Sequence, residues 1–434
     1  MRAYRLTTSV AAYGALAIAF LMLMTWLQVH PPFPEPHPLP LGDFRKGYYA
    51  AGEAILHHGP SALLPLILKL YFVNWPIVSF LFVPFAVLHH RLGELSFYLL
   101  SFAAIGYSYV LLTRGCTTRQ KFLVIFLFLL NGPLWYCVFS CGNTTHFVLL
   151  ALTCALRCLQ TRRFYAAGAL IGLAAIIKPM IMLFVVYFIS RRLRRAALAG
   201  AGIVAATALS SVAVFGVDFT RHWYMRCIVE LSRNPIGAFN NQSFEAFLLR
   251  LWSGPTYMYD YDYGHALPHP LMLLAKLLPP LLLALSAWTA WQWRRTMPWT
   301  DIRGFGSADA VDFSLLIAFC VVTSPVSWTH YFLLLLLPWS LYLTGRLPLP
   351  GGQATKILFW TSVILCSLPV FYPGALMTGR LAPIWTRTIV SPWLCGGLLF
   401  LLTLCRSYLW AAQTDKPEDM VGTVGETAET GLAP

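Results

Sequence analysis

Residues 163–195 read RFYAAGALIGLAAIIKPMIMLFVVYFISRRLRR, an apolar run closed by arginine clusters at both ends. Such clusters are typical of cytoplasmic loops, so the chain crosses the membrane and returns between them. About 26 residues separate the clusters, which is about 40 Å of helix and less than two crossings of a core about 30 Å thick. Pro179 cannot continue an ordinary helix. The stretch therefore predicts a short or broken helical hairpin with Lys178 at its apex.

The rest of the chain has the composition of a membrane protein. Of its 434 residues, 58% are hydrophobic and 11% are charged, whereas soluble domains carry about 25% charged residues. Apolar runs of roughly 18 or more residues recur along the chain, each long enough to cross the bilayer as a helix. Open sheet edges cannot be satisfied in lipid. The sequence thus predicts an all-α polytopic membrane protein with roughly 10–13 membrane helices, some short or broken.

The charge pattern predicts the domain organisation. The formal net charge is +14, but the basic residues lie in short clusters between apolar runs, which indicates membrane anchoring and membrane-lipid contacts rather than nucleic-acid binding. We expect one transmembrane domain over residues 1–410, with its first span at Thr7–Val29 and extracytoplasmic loops at about 30–70 and 217–270. Residues 411–434 are acidic and predicted to be a disordered cytoplasmic tail. A bacterial plasma (inner) membrane is the expected location.

One basic cluster conflicts with this scheme. If the spans near Phe72–Leu88 and Leu95–Leu112 both cross fully, Arg114, Arg119 and Lys121 fall on the outer side, against the usual bias. Either one of these helices is partial, or the cluster is an exception to a statistical rule.

Acidic residues are confined to a few segments. There is no Asp or Glu between Glu94 and Asp218, and none between Asp312 and Asp415. Cation-coupled transporters hold carboxylates near mid-membrane, and these spans offer none. Lys178 is costly at a helix centre, by about 2.5–3.5 kcal/mol. We therefore expect it to pair with an outer-loop acid or with the phosphate of a ligand.

The stretch GDFRKGYYAAGEAI, residues 42–55, follows the predicted first span. Asp43 has two interpretations: an N-cap of the helix that follows, or a general base within reach of a substrate hydroxyl. Arg45 is either a surface charge or a planar fork that binds phosphate. Lys46 and Glu53 fit surface positions.

Three further polar sites interrupt apolar runs. His330 in SPVSWTHYF is either an interfacial histidine or part of a site, and Asn143 in CGNTTHF is either a helix start or a ligand contact. The same two interpretations hold for the NNQS segment that contains Asn241 and Gln242. The sequence contains no Gly-rich phosphate loop, CxxC pair or HExxH motif. His57-His58 and His89-His90 are adjacent pairs that do not share a helix face, so a divalent metal is not expected.

The order of these motifs resembles glycosyltransferase family 87. The ordered set comprises DFRKGYYAAGEAI, CGNTTHF, the hairpin around Lys178-Pro179, NNQSFEAFLLRL and SPVSWTHYFLLLLLPW, and it covers roughly residues 43–339. Two positions depart from the family's common pattern: Gly142-Asn143 replaces Gly-Gln, and NWP at 74–76 replaces Tyr-Pro-Pro.

The resemblance implies a membrane enzyme with the GT-C architecture that uses a polyprenyl-phosphate sugar, most often mannose, and a lipid or glycan acceptor. It implies that Asp43 is the catalytic acid of the first outer loop, and that Lys178 and His330 match the family's Lys-Pro and Ser-Pro-x-Ser-Trp-x-His segments. No cofactor is implied. On this basis we expect Asp43 to be the base of an inverting transfer and Lys178, His330 and Arg45 to bind the donor phosphate. The expected substrate-binding residues are Tyr48, Glu53, Asn143, Asn241 and Gln242.

Two alternative functions remain at this point. A lipid-linked-sugar flippase or other transporter also needs a cationic site and a lipid groove, but its function would survive Asp43→Asn. A surface polysaccharide polymerase or ligase uses similar donors, with a longer glycan as acceptor. The aromatic residues of the loop 252–265 either stack on sugar rings or form an interfacial belt.

Overall fold

A computed structural model describes residues 40–261, 264–296, 307–370 and 382–413 of the chain. Over these residues the backbone is helical, with one isolated β-bridge between Asn241 and Trp328 and no strand. The predicted all-α membrane fold is confirmed. The predicted first span and residues 414–434 lie outside the described residues, whereas residues 411–413 continue the last helix.

The helices, in chain order, are α1 (Phe44–Tyr49, a π-helical turn), α2 (Ala50–His58), α3 (Leu64–Leu68), α4 (Val83–Val87), α5 (His90–Thr113), α6 (Thr118–Leu130), α7 (Gly132–Trp135), α8 (Thr145–Gln160), α9 (Phe164–Ile177), α10 (Leu183–Ser190), α11 (Arg194–Phe215), α12 (Val217–Trp223), α13 (Leu231–Arg233), α14 (Phe244–Ser253), α15 (His269–Thr296), α16 (Ser307–Thr323), α17 (Leu336–Leu343), α18 (Gly352–Ser367), α19 (Ala382–Ile384) and α20 (Pro392–Gln413). Short 3-10 segments precede α3, α4, α10 and α17, and π-helical turns follow α7, α12 and α19.

Four of the described helices, α5, α11, α15 and α20, are long and apolar enough to cross a membrane. The count is five if α6 and the segment Gly132–Cys141, bent by 59°, form one span. Other apolar helices have 10–17 residues. The described helices thus include both full-length candidate spans and shorter apolar helices, in keeping with the prediction that some membrane helices are short or broken.

Successive helices run between two ends of the molecule. One end, here called the basic end, is held by Arg191 and Arg294, which bind Asp309 at 3.2 and 3.0 Å. The rings of Trp293 and Tyr408 meet there at 4.9 Å. The opposite end, here called the cavity end, is held by contacts between distant segments: Asp43 with Asn143, Asn240 with Thr329, and Arg250 with Ser391.

The segment Pro76–Val87 explains the cluster at Arg114–Lys121. It combines a 3-10 turn with α4 and is about 18 Å long at 1.5 Å per residue, too short to cross the bilayer. Residues 40–89 therefore stay at the cavity end, and α5 is the first described crossing. The end of α5 lies at the basic end, where the Leu112 carbonyl accepts a hydrogen bond from Arg346. The structure thus shows the partial helix, the first of the two alternatives.

The hairpin α9–α10 is broken as the sequence predicts. Lys178 is extended, with φ −129° and ψ 96°, because proline disfavours a helical conformation in the residue before it. A 3-10 turn, Pro179–Met182, then leads into α10. Earlier in α9, Gly168 faces α11. A methyl group added at Gly168 would lie only 2.0 Å from the Ala196 carbonyl oxygen of α11. The two helices thus pack backbone to backbone, as small residues allow in membranes.

The centre of the core is the run YFLLLLLPW, residues 331–339. Its residues from Phe332 to Leu337, and Trp339, have no exposed surface. A segment that is apolar on every side must be surrounded by protein or lipid. Here protein surrounds it, so the preceding turn, which contains His330, has a fixed position.

Candidate active site

A cavity of about 1140 Å³ opens at the cavity end. Five segments line it: the start of α1, the loop 68–75, the turn 140–143, the break at 176–180 and the turn 324–331. Residues 223–240 and the aromatic side chains Tyr259 and Tyr261 complete the wall. Of the nine residues that the sequence predicts at the site, five line this cavity: Asp43, Tyr48, Asn143, Lys178 and His330.

Asp43 immediately precedes α1 and makes no side-chain capping bond to that helix. Its Oδ2 instead accepts a hydrogen bond of 2.7 Å from Asn143 Nδ2. The geometry therefore favours the site interpretation of Asp43 over the N-cap. A close contact fixes α1: a methyl group at Gly47 would lie 2.2 Å from the Tyr71 carbonyl oxygen.

Asn143 joins Asp43 to Lys178. Its Oδ1 accepts hydrogen bonds from Lys178 Nζ at 3.1 Å and from Thr145 Oγ1 at 3.0 Å, while its amide NH₂ donates to Asp43. Gly142, which precedes it, is left-handed with φ +63° and packs against Leu41 and Phe44, so glycine is favoured at this turn. The side chain of Asn143 thus holds the Asp43 carboxylate and the Lys178 ammonium group in one orientation.

Lys178 reaches the cavity because of the proline-induced break. Its side chain is 6% exposed, and Nζ lies 4.4 Å from the centre of the Tyr331 ring. A cation over an aromatic face is stabilised by the ring quadrupole. Of the two partners expected for Lys178, the outer-loop acid is present as Asp43, which is linked to Lys178 through Asn143. Nζ keeps donors that an anionic ligand in the cavity can use.

The electrostatic balance at Asp43 follows from its position. The carboxyl group is open to the cavity, but the walls displace most of the surrounding water, and this desolvation raises the pKa of Asp43 above its ordinary value of 3.8. The hydrogen bond from Asn143 and the charges of Lys178 and Lys46 offset part of the rise. A carboxylate whose pKa is raised above the ordinary value accepts a proton more readily, which suits a general base.

His330 is 3% exposed and lines the cavity. Neither ring nitrogen has a hydrogen-bond partner among the described residues. A buried polar group without a partner costs free energy. Both nitrogens are shielded from solvent, so the imidazole lies in the cavity wall with its hydrogen-bonding capacity unused.

Other expected site residues lie elsewhere. Arg45 is bound to Glu94 by both Nε and Nη2 and does not line the cavity, so its planar fork is occupied. Glu53 lies on a separate shallow surface pocket beside His57 and His58. Lys46 does line the cavity, although the sequence suggested only a surface position.

Of the remaining expected residues, Tyr48 lies at the cavity, whereas Asn241 and Gln242 lie behind its wall. Tyr48 lines the cavity, stacks on Phe82 at 4.6 Å and shares a hydrogen bond of 3.3 Å with Thr144. Asn241 and Gln242 are fully buried outside the cavity lining. Their amides bond to backbone groups of their own loop, of Ser327 and of residues 390–394, so they hold the loop in place.

Asn240 belongs to the NNQS segment and Tyr331 to SPVSWTHYF, but the sequence does not single out either residue, and it shows Asn74 only as a departure from the family pattern. All three line the cavity. Period and composition do not tell which of two adjacent side chains in a motif faces a cavity. Tyr259 and Tyr261 stand at the cavity wall with Trp328, which favours ligand contact for this part of the aromatic loop.

Within the described part of the chain, no group of three or more His, Cys, Asp or Glu side chains is placed to hold a metal ion. The absence of a cofactor stays a prediction.

The fold and the site define a helical membrane protein whose cavity combines a carboxylate, a lysine and a buried histidine. The chain belongs to glycosyltransferase family 87, whose family model matches residues 72–325, more than half of the chain. Asn143 and Lys178 lie inside the matched region, Asp43 precedes it and His330 follows it. Asp43 and His330 nevertheless line the same cavity as Asn143 and Lys178.

Two curated relatives share the name polyprenol-phosphate-mannose-dependent alpha-(1-2)-phosphatidylinositol pentamannoside mannosyltransferase. The protein of Mycolicibacterium smegmatis is 28% identical over 282 residues, 64% of this chain and 60% of that protein. The protein of Mycobacterium tuberculosis is 24% identical over 272 residues, 62% of this chain and 56% of that protein. The chain thus spans less than two thirds of the length of these relatives. No solved structure matches it significantly.

Proposed function

We propose that the protein is a membrane glycosyltransferase that moves a sugar, most simply mannose, from a polyprenyl-phosphate donor to a hydroxyl of a lipid or glycan acceptor. The observation that carries the proposal is the bridge from Asp43 through Asn143 to Lys178 on the wall of one large cavity. It supplies a base and a cation side by side, which are the two groups that this transfer needs. The names of the two mycobacterial relatives support the donor class.

The reaction is a single displacement. Asp43 takes the proton of the acceptor hydroxyl as its oxygen attacks the anomeric carbon, and the bond to the phosphate oxygen breaks with its electron pair. The products are the new glycoside, polyprenyl phosphate and protonated Asp43, which returns its proton to cavity water. Asp43 is the one carboxylate among the described lining residues. A retaining mechanism needs a second carboxylate as nucleophile, so the anomeric configuration inverts.

Lys178 and His330 serve the leaving group. Phosphate departs without protonation, so the site needs a cationic or hydrogen-bonding cradle rather than an acid. The Lys178 ammonium provides the charge, and the His330 ring provides a donor without a competing protein partner. Arg45 takes no part because Glu94 occupies it.

The cavity faces the extracytoplasmic side in this proposal. Arginines concentrate at the opposite end, in the turns 157–163, 191–195 and 294–295, and the positive-inside bias places that end in the cytoplasm. A lipid-linked donor then presents its sugar at the outer surface.

The test is sugar transfer in membranes supplied with radiolabelled polyprenyl-phosphate mannose and a crude pool of lipid and glycan acceptors. We expect Asp43→Asn to lower transfer by about 10²–10⁴-fold, while labelled donor still binds. Asp218→Asn is the matched control, because Asp218 is an exposed acid at the cavity end that does not line the cavity. Full activity of Asp43→Asn would remove Asp43 as the base, whereas no transfer by either protein would favour a transporter.

The variant should also fold. Because the ionised form of Asp43 is desolvated, its replacement by a neutral amide relieves a cost at neutral pH. We expect the thermal midpoint of Asp43→Asn in detergent to equal or exceed that of the wild type, so that lost transfer reports on chemistry.

A further inference from the structure

Two buried asparagines in the cavity keep part of their hydrogen-bonding capacity unused. Asn74 is 6% exposed and Asn240 is 7% exposed, and both line the cavity. Within the described residues, Asn74 Nδ2 and Asn240 Oδ1 have no partner. The other amide at the site, Asn143, has both its oxygen and its nitrogen engaged. Both atoms lie beneath the cavity surface and reach the cavity when the side chain rotates about χ2, which makes the two amides candidates for ligand contact.

Asn240 belongs to the wall that carries the phosphate cradle. Its backbone carbonyl accepts hydrogen bonds from Thr329 N and Oγ1, at 2.8 and 3.0 Å, and its Nδ2 donates to the Tyr136 hydroxyl at 3.1 Å. Thr329 is followed by His330 and then by Tyr331, whose ring lies beneath Lys178. The amide of Asn240 is thus held on the same wall as the groups that receive the donor phosphate.

Asn74 belongs to a different wall. The backbone beside it is fixed by the Trp223 indole, which donates to the Val73 carbonyl at 3.2 Å, and by the stacking of Trp75 on Trp223 at 4.3 Å. The same loop packs against α1 through the close approach of Gly47 to Tyr71. This wall therefore adjoins the helix that begins after Asp43, on the side of the base.

The chemistry of the two amides fits sugar hydroxyls. A hydroxyl both donates and accepts, so it satisfies an unpaired carbonyl oxygen as well as an unpaired NH₂ group. Neutral amides do not compete with Lys178 for phosphate. A few well-placed polar groups in an otherwise aromatic and apolar cavity set the orientation of a ligand, and Tyr259, Tyr261 and Trp328 supply aromatic surface at this cavity.

We propose that the cavity contains two sugar subsites. Asn240 forms a hydrogen bond with a hydroxyl of the donor sugar, and Asn74 forms one with a hydroxyl of the acceptor. This inference rests on the proposed transferase function and assigns specificity to residues on opposite sides of the reacting bond.

The experiment compares the wild type, Asn240→Ala and Asn74→Ala on polyprenyl-phosphate mannose and on donors in which one hydroxyl is replaced by hydrogen. One deoxy donor should lower the wild-type kcat/KM by about 10- to 100-fold. Asn240→Ala should lose about the same factor on the parent donor and nothing further on that deoxy donor, since the contact is already gone. Asn74→Ala should keep the full wild-type sensitivity to donor deoxygenation. With a panel of deoxy acceptors, Asn74→Ala should lose nothing further on one deoxy acceptor, whereas Asn240→Ala should keep the full wild-type sensitivity to acceptor deoxygenation.

Asn131→Ala is the matched structural control. Asn131 is also a buried amide with an unpartnered Nδ2, but it caps α7 and does not line the cavity. Its loss should change all sugars by one common factor. If Asn240→Ala or Asn74→Ala also lowered kcat/KM by one common factor for all sugars, the proposal would be overturned. It would also be overturned if Asn240 proved sensitive to the acceptor and Asn74 to the donor. A wild type that is inactive with every lipid-phosphate hexose would overturn the transferase function and this inference together, whereas an active wild type without coupling overturns this inference alone.

Discussion

Asn143 shows how one side chain organises the site at the scale of a residue. The sequence offered a helix start or a ligand contact for it, and the structure gives it a third role, in which its amide orients both Asp43 and Lys178. Gln, which the family commonly has here, carries the same amide on a longer chain. Asn143 thus carries its amide one methylene closer to the backbone of the turn at Gly142.

Asn143→Ala should move the acidic limb of the pH–rate profile to higher pH. The hydrogen bond from Asn143 lowers the pKa of Asp43, so its removal raises that pKa further. Transfer requires the carboxylate, and activity is therefore lost as pH falls through the pKa of Asp43. The measurement is kcat/KM against pH.

Thr145→Val is the control for this shift, because it removes a donor to the Asn143 oxygen without touching Asp43. Its acidic limb should stay closer to that of the wild type. Identical limbs in Asn143→Ala and wild type would show that the bridge does not influence the base.

The sequence predicted in part which side chains meet at the cavity, because unusual residues in an apolar chain are few. Asp43, Lys178 and His330 line one cavity, as expected from motif order. Arg45 does not, since its partner Glu94 lies 49 positions away, and long-range pairing has no signal in a single sequence. The NNQS segment contributes Asn240 rather than Asn241 or Gln242, because the loop conformation decides which amide faces the cavity.

At the scale of elements, the packing of α9 on α11 fixes the position of Lys178. Gly168 and Gly172 of α9 face Ala196 and Gly200 of α11 at backbone contact. The sequence predicted the break at Lys178-Pro179 from proline chemistry and helix length, but not this packing, because both faces of the two helices are apolar.

Gly168→Ala should destabilise the protein by about 1–3 kcal/mol, since the added methyl group overlaps a carbonyl and forces the helices apart. The expected result is a lower thermal midpoint in detergent together with reduced transfer, because Lys178 moves with α9. Gly202→Ala, on α11, is matched to it and has no atom within 4 Å of the new methyl group. Equal midpoints for the two variants would contradict close packing at Gly168.

At the scale of the whole molecule, the two ends should lie on opposite sides of the membrane. Thr256 is exposed in the loop near the cavity, and Thr161 is exposed in a turn between arginines at the other end. We expect Thr256→Cys to react with a membrane-impermeant maleimide in intact spheroplasts, and Thr161→Cys to react only after permeabilisation. The parent chain, with its ten native cysteines, gives the background. Reaction of Thr161→Cys alone in intact spheroplasts would reverse the orientation.

The break after α9 also sets the depth at which substrates meet. From the basic turn, α9 extends only about 21 Å before Lys178, short of the roughly 30 Å hydrocarbon thickness. Under the proposed function, the groups assigned to catalysis therefore stand in a recess below the membrane surface. A substrate carried on an isoprenoid tail keeps that tail in the bilayer while its head group enters the recess from the side. Such a substrate reaches the site by lateral diffusion in the membrane and does not have to leave the bilayer for water.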